Sequence, residues 1–99
     1  MDQDWPFADP KNLAVFTVRQ IMRNGKPILR VSHDDDDGAW QFLQWGTPEK
    51  RDAMIVTLEE IVQNDSTICE PADLPLGWRA WRRNMDDMWQ REPISSSDG

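Results

Sequence analysis

The stretch from His33 to Leu43, HDDDDGAWQFL, constrains the fold more than any other, because four consecutive aspartates and a glycine stand directly before a Trp-x-Phe pair. A run of like charges does not sit in a packed ladder, and Gly38 supplies the backbone freedom of a tight connection. The acids therefore read as a solvated turn leading into a strand. Within that strand Trp40 and Phe42 share one face, while Ala39, Gln41, Leu43 and Trp45 share the other. Apolar groups on both faces mark a central strand.

Upstream, AVFTVRQIMR and KPILRVSH flank Asn24-Gly25, a strong hairpin signal because a type I′ turn needs positive φ at both central residues. That register sets Val18 opposite Val31, Phe16 opposite His33 and Arg19 opposite Arg30, with one apolar face and one amphipathic face meeting solvent or a partner. The competing reading is a helical turn over Val18 to Met22 closed by Gly25, since Val18, Ile21 and Met22 also fit i, i+3, i+4 spacing. Downstream, TPEKRD reads as a loop and AMIVT as a short buried strand. Thr57-Leu58-Glu59-Glu60 then fits a capping box, opening a short helix with Leu58, Ile61 and Val62 toward the sheet and Asn64-Asp65-Ser66 at its end. Pro71 and Pro75 forbid a regular helix before Trp78. GWRAWRR, NMDDM and WQRE then suggest two strands around an acidic turn, with Trp78 and Trp81 on opposite faces; a helix placing both on one side is the alternative.

Ninety-nine residues make one domain. The expected organisation is an irregular arm over 1–12, a single α+β domain over 13–92 and a flexible polar tail over 93–99. Six Trp and three Phe predict a thin, aromatic core. Eighteen acids against eleven bases give a formal charge of −7, which repels nucleic acid and anionic membrane surfaces and favours a protein partner with a basic surface. No apolar run is long enough to span a membrane and no basic leader opens the chain, so a cytoplasmic location is expected. The one cysteine, Cys69, cannot form an internal disulfide, and beside Glu70 it reads as a small hydrophobe.

The four aspartates invite a calcium reading, but the spacing opposes it. Placing Asp35, Asp37 and Gly38 on the third, fifth and sixth positions of an EF-hand loop puts His33 first and Gln44 twelfth, where acidic ligands belong. An unbroken run of exposed acids also lacks the asymmetry that acid–base catalysis requires. His33 reads as a strand-end structural histidine, and no nucleophile elbow or phosphate-binding glycine loop is present. No catalytic residues, metal ligands or cofactor are therefore assigned, and the chain is not read as an enzyme. The partner-binding residues are taken to be Asp34, Asp35, Asp36 and Asp37 with Trp40, Trp78, Arg79, Trp81 and Arg82, since Trp and Arg are enriched at interface hot spots.

The order of an extended segment, the Asp34–Gly38 acids, Trp40-x-Phe42, the AMIVT strand, the TLEEIVQND helix and LPLGW resembles a small bacterial family, formerly a domain of unknown function and later named immunity protein thirty-three. The likeness covers roughly residues 13 to 78. It departs where Ala39 separates Gly38 from Trp40 and where Ser66, not proline, follows Asp65. The resemblance implies an α+β domain that neutralises a bacterial toxin by masking it. The combined expectation is a small antiparallel sheet of about five strands with one short helix, acting as a non-catalytic acidic protein-binding domain. The alternative is a small-ligand or metal-sensing accessory domain with an aromatic pocket near Trp40 and Trp78.

Overall fold

The computed structural model describes residues 5–94; the expectations for residues 1–4 and 95–99 lie outside it. Pro93 and Ile94, expected in the flexible tail, are held to the sheet, Pro93 closing the last strand and the Ile94 N–H donating to the Gly77 carbonyl. The chain runs β1 (Ala14–Val18), α1 (Arg19–Asn24), β2 (Arg30–His33), β3 (Trp40–Leu43), β4 (Ala53–Thr57), α2 (Leu58–Asn64), β5 (Trp78–Trp81) and β6 (Gln90–Pro93). A 3-10 turn, Lys50–Asp52, precedes β4, and a longer 3-10 segment, Ser66–Asp73, follows α2. The strands form one sheet in the order β4-β1-β3-β2-β5-β6, an α+β fold that is antiparallel except where β1 runs parallel to β3. Among the described residues the sheet has six strands, against about five expected, and there are two short α-helices, against one.

The Asn24-Gly25 hairpin is not formed. Gly25 does adopt positive φ, at 69°, but as the left-handed cap of α1, and the N–H groups of Gly25 and Lys26 both donate to the Gln20 carbonyl. The same backbone conformation serves a hairpin turn and a helix C-cap, and burial decides between them. As a helix, the segment sends Ile21 fully into the core. β1 is consequently freed from β2, and β3 lies between them, pairing Phe16 with Gln41 on one side and Val31 with Phe42 on the other. β3 is thus central, as its two apolar faces predict.

The other local signals produce the elements they specify, except that AMIVT, expected as a buried strand, is the edge strand β4, with Ala53 and Ile55 exposed. Asp34 and Ala39 close the acidic turn through Asp34 N–H to Ala39 O at 2.8 Å, and His33 pairs with Trp40. At α2 both halves of the capping box are made: Glu60 N–H donates to Thr57 Oγ1 (3.2 Å) and Thr57 N–H to Glu60 Oε1 (2.8 Å). Leu58 and Ile61 are fully buried against the sheet, with Val62 half-buried beside them. Pro71 kinks the 3-10 segment, and Trp78 and Trp81 lie on opposite faces of β5, which forms a hairpin with β6.

Among the described residues the hydrophobic core lies on one face of the sheet. Val15, Val31, Phe42 and Ala80 form its floor, and Ile21, Ile28, Leu58, Ile61, Ile68 and Leu74 cover it. Trp40 lies in this layer at 2% exposure, stacked on His33 (3.9 Å between rings), edge-on to Phe7 (5.3 Å) and donating from Nε1 to Asp9 Oδ2 (2.8 Å). The stretch around Phe7 is therefore part of the core. Among the described residues no helix is long and apolar enough to cross a membrane.

One buried ion pair ties the layers together. Arg82, 2% exposed, reaches Asp65 Oδ2 at 3.2 Å, donates from Nε to the Ile28 carbonyl at 3.0 Å and stacks over Trp89 at 4.2 Å. Asp65 also ends α2 through its N–H to Ile61 O and starts the 3-10 segment by accepting from Thr67. Its carboxylate thus holds the α2 boundary and the β5 end at once. Arg82→Ala leaves that carboxylate buried without its counter-charge and lowers unfolding free energy by about 3–5 kcal/mol. The matching loss at Arg79, whose pair with Glu92 is exposed, is at most about 1 kcal/mol. Urea unfolding of the two variants compares them directly.

A second polar tie fixes α1. Gln20 Nε2 donates to Asp52 Oδ2 at 2.9 Å and Arg19 Nε lies 2.8 Å from Asp52 Oδ1. The Gln20 hydrogen bond, joined by the Arg19 charge and opposed by partial burial, holds the Asp52 carboxyl below its ordinary range. A depressed folded-state value means that Asp52 stabilises the fold above the unfolded carboxyl range and loses that contribution as pH falls through the folded value. Asp52→Asn is therefore less stable than wild type at pH 7, and the gap closes below about pH 4 in denaturation series.

Candidate functional site

Among the described residues nothing packs over the opposite face of the sheet, and strand registry arranges it in rows. One row crosses all six strands: Ile55, Phe16, Gln41, Ser32, Arg79 and Glu92. The next sets Leu43, Arg30, Trp81 and Gln90 side by side. Ile55 is 65% exposed and Phe16 41%, so the β4–β1 end is an apolar surface in water. Over β3, β2 and β5 the same face dips into an open groove of about 470 Å³, walled by Trp45, Trp81, Arg79 and Asp34.

Arg30 shapes this groove. Its Nε donates to the Gln44 carbonyl at 2.7 Å and its Nη2 to the Gly46 carbonyl at 2.5 Å, pinning the loop after β3. The pinned loop holds Trp45 5.9 Å from the guanidinium and 6.0 Å from the Trp81 ring, although Trp45 is 52% exposed. Partial burial, and then the neighbouring Arg79 charge, lower the Arg30 pKa, yet a guanidinium remains cationic at any working pH. Arg79 is paired across the hairpin with Glu92 at 2.7 Å, whereas the two oxygens bound by Arg30 are neutral carbonyls.

At one end of the groove the acidic turn begins. Asp34 is half-buried and accepts from Gln41 Nε2 at 2.8 Å, which joins the turn to the sheet floor. Asp37 Oδ1 accepts the Ala39 N–H at 3.0 Å, Gly38 holds φ at 73°, and Asp35 packs against Gly77, where a Cβ would come within 3.2 Å of its Oδ2. Asp35, Asp36 and Asp37 are exposed. Among the described residues no three His, Cys, Asp or Glu side chains are grouped so as to hold a metal ion.

Of the residues taken from sequence as partner-binding, the fold gathers Asp34, Arg79 and Trp81 at the groove and leaves Asp35–Asp37 exposed in the adjoining turn. Trp40 and Arg82 are corrected: each is 2% exposed and neither offers surface to a partner. Trp78 is half-buried on the covered face, packed against the core. His33 is structural, its Nδ1–H donating to the Leu74 carbonyl at 2.8 Å. Cys69 is half-buried, its thiol pKa pushed up by burial and by the Asp65 charge. Sequence reasoning did not single out Arg30, Trp45, Phe16 or Ile55 as surface groups. The period-2 alternation in RVSH and WQFL separates two faces, but only the helix packing says which one is covered.

This division makes a stability prediction. Trp45→Ala, on the open side, changes unfolding free energy by less than about 1 kcal/mol, whereas Trp40→Ala costs about 3–5 kcal/mol; chemical denaturation followed by far-UV circular dichroism separates the two. No family model, curated protein or solved structure matches the chain.

Proposed function

We propose that this chain is a non-catalytic protein-binding domain that docks a partner across the open sheet face and the acidic turn beside it, and that it serves as an immunity protein masking a bacterial toxin. The observation that carries the reading is the uncovered face itself. Exposed apolar surface in a small folded domain marks an interaction site, and here Phe16 and Ile55 at one end of the face and Trp45 at the groove are each more than 40% exposed. Trp45, Trp81, Arg30 and Arg79 are the side-chain types that dominate interface energetics. The turn Asp34–Asp37 and the net charge of −7 suit a partner with a basic surface, whose approach they accelerate. The toxin-neutralising role rests on the resemblance of residues 13 to 78 to the immunity family.

The groove also supports a second reading, a small-ligand accessory domain, because about 470 Å³ lies within the range of small-molecule sites. Its aromatic walls are Trp45 and Trp81, on the face opposite Trp40. A melting temperature that rises with a metabolite and not with a protein partner would favour this alternative.

Affinity capture from the source cell's lysate, read by mass spectrometry, tests the leading reading when wild type is compared with Trp81→Ser and with Asp34–Asp37 all changed to Asn. One basic protein is retained by wild type and lost by Trp81→Ser. With that partner purified, the association rate falls about tenfold or more between low and high salt, and the Asn variant associates slowly at every salt concentration. A partner retained equally by all three proteins would contradict the assignment of this face.

A further inference from the structure

We infer that the partner docking on this face carries an acidic side chain within its basic surface, and that this carboxylate enters the groove and pairs with Arg30. The inference rests on the protein-docking function proposed for the face and specifies what the partner brings to it.

Acids outnumber bases in this chain by eighteen to eleven, so counter-charges for its arginines are plentiful. Arg19, Arg51, Arg79, Arg82, Arg83 and Arg91 each lie 2.7–3.2 Å from a carboxylate oxygen. Among the described residues Arg23 and Arg30 are the two that do not. Arg23 stands exposed at the end of α1, where an unpaired charge costs little. Arg30 is half-buried and lines the groove, and its charge is opposed by that burial and by the neighbouring Arg79.

Arg82 shows how the same fold completes similar surroundings. Its Nε donates to a backbone carbonyl, its guanidinium lies over the Trp89 ring, and its Nη2 meets the Asp65 carboxylate. Arg30 has the carbonyls, of Gln44 and Gly46, and the indole of Trp45, but no carboxylate among the described residues. Those carbonyls engage Nε and Nη2, so Nη1 keeps both hydrogens for an incoming acceptor. They also fix the guanidinium in place, and little side-chain freedom remains to be lost when a carboxylate arrives.

Docking itself makes the counter-charge necessary. A partner that covers the groove removes Arg30 from water, and a guanidinium buried without an opposite charge is costly. A carboxylate meets that need best, because charge-assisted hydrogen bonds are the strong ones and the Trp45 and Trp81 walls keep water from the pair. The source is a protein side chain rather than a free anion. Asp34 and Glu92 stand in the groove wall and the chain carries −7, so a small anion in solution is repelled. A carboxylate set among lysines and arginines is instead drawn in by their attraction to the Asp34–Asp37 turn.

NMR titration of isotope-labelled protein with acetyl-Lys-Lys-Glu-Lys-Lys-amide, with the same peptide carrying Gln for Glu, and with free acetylglutamate tests the inference. Wild type binds the Glu peptide about tenfold more tightly than the Gln peptide, although the Gln peptide has the greater net positive charge. The Glu peptide moves the Arg30 Nε–H and the Trp45 and Trp81 indole N–H signals. Arg30→Gln abolishes the preference and Arg23→Gln retains it. The comparison of peptides on wild type does not depend on any variant's folding. Equal or weaker binding of the Glu peptide, with the groove signals still moving, would overturn the inference and leave the docking face standing. Shifts confined to Asp34–Asp37, or none on this face, would overturn the face and the inference together. Acetylglutamate moving the groove signals as strongly as the Glu peptide would make this a site for small anions and would also overturn it.

Discussion

Among the described residues, helical cover exists for only one face of this sheet. Two short helices and a kinked 3-10 segment, with the stretch around Phe7, pack over Val15, Val31, Trp40 and Phe42. Among the described residues the only helical elements besides the six strands are short, and they pack together on a single side of the sheet. Strand alternation then sends every second side chain into water, and this produces the row from Ile55 to Glu92. The candidate site is the consequence of that one-sidedness. A groove forms where Arg30 draws the loop after β3 over its edge and sets Trp45 beside Trp81.

Polar groups inside the covered layer fix how its parts meet. Asp65 joins α2, the 3-10 segment and the end of β5 through Thr67 and Arg82, while the Trp40 indole and Asp9 secure the N-terminal stretch. Removing one member of such a pair is costly because its partner stays buried and charged or unpaired. Arg79 and Arg82, three residues apart, show the contrast. The first faces the groove and pairs in solvent with Glu92; the second is enclosed and serves the fold.

Where local chemistry alone sets the backbone, the sequence was a sufficient guide. The Asp34–Gly38 turn, the Thr57 capping box, the AMIVT strand and the β5–β6 hairpin each follow from a few neighbouring residues. Asn24-Gly25 was not sufficient, because positive φ at Gly25 serves a helix cap as well as a hairpin, and the choice depended on whether Ile21 reached a core built by distant strands. The same limit applies to the site. Trp40 and Trp81 are equally good hot-spot residues on paper, and only the side on which α2 packs puts one in the core and the other at the groove.

A soluble paramagnetic agent, added to dilute protein with side-chain proton relaxation followed by NMR, tests the one-sided sheet most directly. Strong relaxation of Phe16 and Trp45, with Val15, Trp40 and Phe42 spared, is the predicted pattern, because these groups alternate across the same strands or the loop that continues them. Equal protection of both sets would mean that the second face is covered, and would remove the basis for a docking surface there.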